Sequence, residues 1–272
     1  MKYFIFALLF SVLLQAEGFI NWQPPVVKAK KSGTQEYMGH GGRKAKQFQI
    51  NGFDPSTASE ISYILPTLEK RELTLENGLI SLPRTGMENY HALVINQTQE
   101  KSVSSSVRYI YSRGRPSKVS PTKITLLQKS ALEIAPILLP KEHNNYEGSE
   151  TYKFKLRFQG EALPQHSITF TTSNGTTKSL QSDEDGEFSL TMPNDFKDVK
   201  MKRRANRPQE FVLSAAYAHG GISYNSTLAM PYYVNPIDYW QTQALAITLV
   251  FMGLILGIYM LRNVNKKKKR KA

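Results

Sequence analysis

Five histidines, His40, His91, His143, His166 and His219, are the side chains of this chain with the most chemistry to offer. Two of them stand in matching settings, Met38-Gly39-His40-Gly41-Gly42 and Tyr217-Ala218-His219-Gly220-Gly221. Neutral imidazole ligates nickel, cobalt, copper and zinc, and a thioether such as Met38 suits Cu(I). Flanking glycines let the backbone bend so that a ligand atom can approach an ion. His40 and His219 are therefore candidate metal ligands, with His91 as a third and Met38 as a fourth. Each His-Gly-Gly also reads as a turn with an incidental histidine, and no fixed ligand spacing of a strong metal motif is present. His143 and His166 read as surface residues.

Other chemistries find less support. There is no cysteine, which excludes disulfides, thiolate zinc sites and cysteine nucleophiles. No GxSxG, P-loop or HExxH pattern occurs. Asp183, Glu184 and Asp185 are clustered carboxylates, but they lack the spaced oxygen ligands of a calcium loop and sit where Asp and Gly favour a turn. No catalytic set can be assembled, so a binding protein is expected and not an enzyme. The run Lys200-Met201-Lys202-Arg203-Arg204, with Arg207 after it, reads as a solvated loop, or as one that meets an acidic partner or lipid headgroups.

The segments that must position these residues begin at the two ends. Residues 244–261 contain no charge, and Tyr239 and Trp240 precede them. A helix of that length spans roughly 27 Å, close to the hydrocarbon thickness of a bilayer. Arg262, Lys266 to Lys269, Arg270 and Lys271 follow at once, the mark of a cytoplasmic side. Residues 240–262 are thus expected to form one transmembrane helix, with 263–272 a basic cytoplasmic tail. Residues 1–16 have the positive start and apolar run of a signal peptide. The bulk of the chain is then exported, and the absence of cysteine leans towards a bacterial periplasm with an inner-membrane anchor. The net charge is +13. Seven of these positives follow residue 261 and one is Lys2, which leaves +5 on the exported part and, given its location, no nucleic-acid partner.

Between the ends, residues 17–47 hold Pro24-Pro25, Lys28 to Lys31 and several glycines, and read as a flexible leader. From residue 48 onward short β-type runs recur at 61–65, 72–75, 79–82, 91–95 and 107–111. More follow at 132–136, 152–158, 167–171, 187–191, 211–217 and 223–229. In 152–158 the residues Tyr152, Phe154, Leu156 and Phe158 share one face. Ser173-Asn174-Gly175 is a hairpin signal, and Asp183-Glu184-Asp185-Gly186 is a second turn. Turns at roughly ten-residue spacing, with no long amphipathic helix, predict an all-β exported part of one or two antiparallel β-sandwiches. A boundary near Ser130 would divide a β-rich domain, 48–130, from a sandwich, 131–236.

The second of these segments carries a resemblance. Leu132-Glu133-Ile134-Ala135-Pro136, Tyr146-Glu147-Gly148, residues 154–164 and Ser182-Asp183-Glu184-Asp185-Gly186-Glu187-Phe188 resemble a periplasmic transthyretin-like, or carboxypeptidase-regulatory-like, β-sandwich family. That family is linked to nickel and cobalt uptake. The likeness covers residues 130–234. It implies a membrane-anchored accessory protein that passes Ni2+ or Co2+ to a metal transporter subunit in the inner membrane. The alternative is a non-catalytic interaction or assembly module that docks a partner through its sandwich edge strands.

Overall fold

A computed structural model describes residues 19–23, 46–140, 145–202, 205–239 and 243–269. The fold is all-β. In chain order the first strands are β1 (Asn21–Trp22), β2 (Gln47–Phe48), β3 (Ile50–Asn51), β4 (Ser59–Ile64), β5 (Lys70–Glu72), β6 (Ile80–Ser81), β7 (Met87–Gln99), β8 (Ser102–Ser112) and β9 (Arg115–Pro116). A short helix, α1 (Thr122–Leu126), leads to β10 (Leu132–Pro136), β11 (Tyr146–Glu147), β12 (Thr151–Phe158) and β13 (Glu161–Ala162). Then come β14 (Ser167–Thr172), β15 (Thr177–Gln181), β16 (Glu187–Thr191), β17 (Gln209–His219) and β18 (Ile222–Tyr233). The helices α2 (Pro236–Tyr239) and α3 (Gln243–Lys269) end the described chain. The described residues fall into two compact units. One runs up to Asp195 and resumes over Pro208–Tyr233; the other comprises Phe196–Arg207 and the segment from Val234 onward.

Among the described residues of the first unit, ten strands form one sheet: eight along the order β15-β14-β17-β18-β8-β7-β4-β5, with β11 on β18 and β9 on β7 off that path. Its centre differs from the antiparallel expectation. β18 runs parallel to β8, from Ser223 opposite Ser102 to Leu228 opposite Val107. The expected boundary near Ser130 therefore divides the sequence and not the sheet, because β4 to β8 and β14 to β18 share one hydrogen-bonded ladder. Small side chains permit the junction: Ser104, Ser105, Ser106, Ser226 and Thr227 are buried there, and Thr227 Oγ1 bonds Ser106 Oγ at 2.7 Å.

A smaller sheet, β10, β12, β13 and β16, covers one face of the large one. Alternation along β12 sends Phe154 and Leu156 inward. Phe154 stacks on Phe188 and meets the edge of Phe211 of the large sheet, at 5.6 and 6.3 Å. The other face of the large sheet buries Ile61, Tyr63, Leu93, Ile95 and Ile110 against Ile20, Trp22, Phe48 and Ile80. β7 is buried on both faces, and so it reads in sequence as a continuous apolar run (Ala92 to Ile95) with no clean alternation.

This second core corrects the leader. Residues 19–23 belong to the fold: Ile20 and Trp22 are 1% and 2% exposed, and β1 pairs with β3. Trp22 Nε1 donates to the Ser106 carbonyl at 3.1 Å, and Thr227 donates to that of Ile20 at 2.6 Å. An apolar-polar-apolar triplet buries two side chains on one face of even a two-residue strand. The remainder of the expected leader, 24–45, lies outside the described residues, as does the signal segment 1–16.

α1 is a helix where none was expected. It forms because its last carbonyls have a partner. Arg157 donates to the carbonyls of Thr125, Leu126 and Leu127 at 3.1, 3.0 and 2.7 Å, which satisfies groups a five-residue helix cannot satisfy itself.

In the second unit, α3 is 27 residues long. Its side chains are described from Ile247 to Leu261, a stretch of about 22 Å and shorter than a hydrocarbon layer. Among the described residues no helix is long and apolar enough to cross a membrane. Within that stretch, Leu249, Val250, Phe251, Leu254, Ile255 and Ile258 are all exposed.

Candidate interaction site at the aromatic end of the sandwich

The β17–β18 hairpin outruns the small sheet that covers it. Alternation along β17 sends Phe211, Leu213 and Ala215 into the core, and the same face continues through Tyr217 to His219. Their register partners on β18 are Tyr224 for Tyr217 and Ile222 for His219. β12 stops at Phe158, where Gln159-Gly160 turns the chain into β13. Beyond Phe158 no described strand covers the inner face of the hairpin fully, and among the described residues its rings are half-buried or exposed.

Phe158 is the hub of the resulting cluster. It lies 4.9 Å from Tyr217, 4.9 Å from Tyr224 and 5.3 Å from His219, ring centre to ring centre. Tyr217 stacks on His219 at 6.0 Å and meets His166 edge-on at 5.6 Å. Phe158, Tyr217, Tyr224 and His166 are half-buried and His219 is exposed. Edge-to-face and stacked contacts hold the rings in one arrangement. The hairpin turn is Gly220-Gly221, with φ of 59° and 78°, the pair of left-handed residues that a two-residue turn of this type requires. His219-Gly220-Gly221 is thus the hairpin turn itself.

The four candidate ligands do not converge among the described residues. His40 and Met38 lie outside them. His91 is buried, 0% exposed, and stacked on Tyr63 at 5.0 Å. Its Nδ1 faces the Asn89 carbonyl at 3.1 Å and its Nε2 the Thr85 hydroxyl at 2.9 Å. A carbonyl only accepts, so Nδ1 carries the proton and Nε2 accepts from Thr85. Burial, with the charges of Lys46 and Arg71 adding, outweighs the Asn89 bond and pushes the ring down to about 4. Both nitrogens are spent on holding the fold. No group of three or more His, Cys, Asp or Glu side chains able to hold a metal occurs among the described residues. His166 gives Nε2–H to the Ala216 carbonyl at 2.6 Å and sits at the rim of the aromatic cluster, a place its sequence context did not suggest. The signal for the cluster was present in the alternation of Phe158, Tyr217, His219 and Tyr224. It could be read only with the length of the covering sheet in hand.

Two other features lie outside the cluster. β15 is an outer strand of the large sheet and pairs on β14 alone along that order. It offers five mostly exposed residues, Thr177–Gln181, with Lys178 among them, and an edge lysine guards against strand addition. Separately, β8 and β18 part beyond Val107 and Leu228, where Tyr109 N donates to Met230 Sδ at 3.2 Å. A cavity of about 180 Å³ opens there, lined by Tyr90, Tyr109, Tyr111, Tyr146 and Tyr233. The hydroxyls of Tyr109 and Tyr146 are buried without a hydrogen-bond partner among the described residues, and burial pushes both phenols well above their usual value.

No family model matches the chain, and no curated protein matches it. Among solved structures, a 1.5-MDa bacterial ice-binding adhesin is similar at 12% identity and a TM-score of 0.26, over 70% of this chain and 57% of that one. The alpha-2-macroglobulin of E. coli is similar at 11% identity and a TM-score of 0.28, over 71% of this chain and 13% of that one. Fibronectin(III)-like modules of CbhA from Clostridium thermocellum are similar at 8% identity and a TM-score of 0.22, over 71% and 88%. This chain thus spans less than two thirds of the adhesin and macroglobulin structures. Likenesses this distant carry no argument about its activity.

Proposed function

We propose that this protein is a non-catalytic interaction module of the bacterial envelope, anchored by α3 and docking a protein partner through its aromatic end. The observation that carries the reading is the half-exposed cluster of Phe158, Tyr217 and Tyr224 rimmed by His166 and His219. Rigid aromatic rings with polar tips, central and ringed by polar groups, are the composition of interaction hot spots. The cluster lies at the hairpin end opposite Tyr233, from which the chain continues to α2 and α3. Docking by strand addition at β15 is less favoured, because that edge is short, polar and carries Lys178.

The anchor is supported by the apolar side chains that surround α3 from Ile247 to Leu261, since a helix apolar all round needs a non-aqueous environment. The basic tail would then be cytoplasmic and the β-sheet unit periplasmic.

A photo-crosslinking residue in place of Tyr224 in the full chain tests the docking surface. One discrete adduct, lost when Tyr217 is replaced by Ala, is expected, and the same residue at Lys178 should give none. Truncation of a ring in such a centre should weaken binding by at least about 2 kcal/mol, roughly thirtyfold. No adduct from position 224, or an adduct only from 178, overturns the aromatic surface. Metal capture is separated from docking by calorimetry with nickel, cobalt, copper and zinc. Binding abolished by His40→Ala with His219→Ala would replace the docking reading with metal handling.

A further inference from the structure

The large sheet opens a slot beside its parallel junction. β8 and β18 are paired only as far as Val107 and Leu228, yet β8 runs on to Ser112 and β18 to Tyr233. There β18 takes β11 as a neighbour, with Tyr146 opposite Tyr232. On the side of β8, Tyr109 N donates instead to Met230 Sδ at 3.2 Å, a weak acceptor. The cavity of about 180 Å³ lies in this slot, lined by Arg108, Tyr109, Ile110 and Tyr111 in succession. Successive residues of a strand point to opposite faces, so the cavity cuts into the sheet and is not a hollow on one side of it. Every residue that lines it belongs to the first compact unit.

The walls are aromatic and the ends are polar. Tyr90 meets Tyr111 edge-on at 5.2 Å, and its hydroxyl donates to the Pro140 carbonyl at 2.8 Å, which fixes one wall. Two cations line the cavity, the exposed Lys46 and the buried Arg108, and no Asp or Glu does. Glu210 balances Arg108 through bonds of 2.7 and 2.8 Å, so the charge of Lys46 leaves the lining positive. Tyr109 and Tyr146 are buried, and their hydroxyls have no hydrogen-bond partner among the described residues. A buried donor left unpaired is costly, and a ligand oxygen would relieve that cost. A cavity of roughly 150 Å³ holds a benzene ring, so this one takes a single substituted ring and not a peptide segment.

We propose that the slot binds a small single-ring aromatic acid. Its carboxylate pairs with Lys46, its ring packs between the tyrosines, and a ring hydroxyl takes the bonds that Tyr109 and Tyr146 leave unmade. The site uses none of the residues of the Phe158 cluster, so it stands or falls apart from the docking surface.

The full chain in detergent is titrated calorimetrically with 4-hydroxybenzoate, benzoate and phenol. 4-Hydroxybenzoate should bind tightest. Lys46→Ala should weaken both acids by at least about tenfold and leave phenol unchanged. Tyr109→Phe with Tyr146→Phe removes two oxygens and keeps both rings. It should weaken 4-hydroxybenzoate about fivefold, leave benzoate unchanged and not lower the melting temperature. No heat from 4-hydroxybenzoate at millimolar concentration overturns the proposal, and so does phenol binding as tightly as the acid. An affinity indifferent to both variants places the ligand elsewhere and overturns it equally.

Discussion

Protonating His91 would require its ring to surrender the bond accepted from Thr85 and to carry a charge between Tyr63 and the core. The sign of the pH effect follows. Its folded-state value, about 4, lies below the ordinary 6.5, so between these limits the unfolded chain binds a proton that the fold refuses. Stability is full above about pH 6.5 and is lost as pH falls towards 4, by at most about 3 kcal/mol. Urea unfolding of the wild type should show a midpoint that drops between about pH 7 and pH 4.5. The drop should shrink in His91→Gln, and an unchanged slope there would remove this account. His219 differs only in position: with the same side chain at the open end of a hairpin, it stays exposed and stacks on Tyr217. The sequence offers both histidines as candidate ligands, His219 ahead of His91, and it is the covering layer that makes one structural and leaves the other on the surface.

At the scale of elements, a buried ionic network ties α1 to the small sheet. Glu133, 0% exposed on β10, accepts from Lys129 Nζ at 2.7 Å and from Arg157 Nη2 at 2.9 Å. Lys129 also lies 5.4 Å from the centre of the Tyr109 ring. Burial lowers its affinity for a proton, and Glu133 partly restores it. Glu133→Gln would leave two buried cations facing a neutral amide. The expected loss is about 3–5 kcal/mol, read from denaturant unfolding of the full chain. A loss below about 1 kcal/mol would mean that water reaches the network. The alternating residues of 132–136 correctly marked β10 in the sequence, yet a Glu in that run reads as solvent-facing until β12 brings Arg157 opposite it. The Asp183–Gly186 turn was legible in full. Asp183 Oδ1 accepts from Asp185 N and Glu187 N at 3.0 and 2.7 Å. Gly186, at φ 72°, lies where a Cβ would meet the Leu156 carbonyl at 2.6 Å. Such turns are local, and local chemistry is what a sequence displays.

For the whole molecule, the parallel pairing of β18 with β8 makes one body of what reads as two segments. Trp22 lies across it, bonded to Ser106 of β8, while the neighbouring Ile20 carbonyl accepts from Thr227 of β18. The β-sheet unit should therefore unfold in a single transition. Circular dichroism and the fluorescence of Trp22 should give the same midpoint, and Trp22→Ala should cost about 3–5 kcal/mol. Two separated transitions would restore the division near residue 130. The sequence by itself determined the β class, most strands, the Ser173–Gly175 hairpin turn, the Asp183–Gly186 turn and the apolar C-terminal run, because alternation, turn chemistry and hydropathy are written in neighbouring residues. Only the tertiary structure decided that the halves share a sheet, that residues 19–23 are core, that His91 is spent and that Phe158, Tyr217 and Tyr224 form a surface. Each of these depends on which distant strand lies alongside and how far it reaches, and no short stretch of chain carries that information.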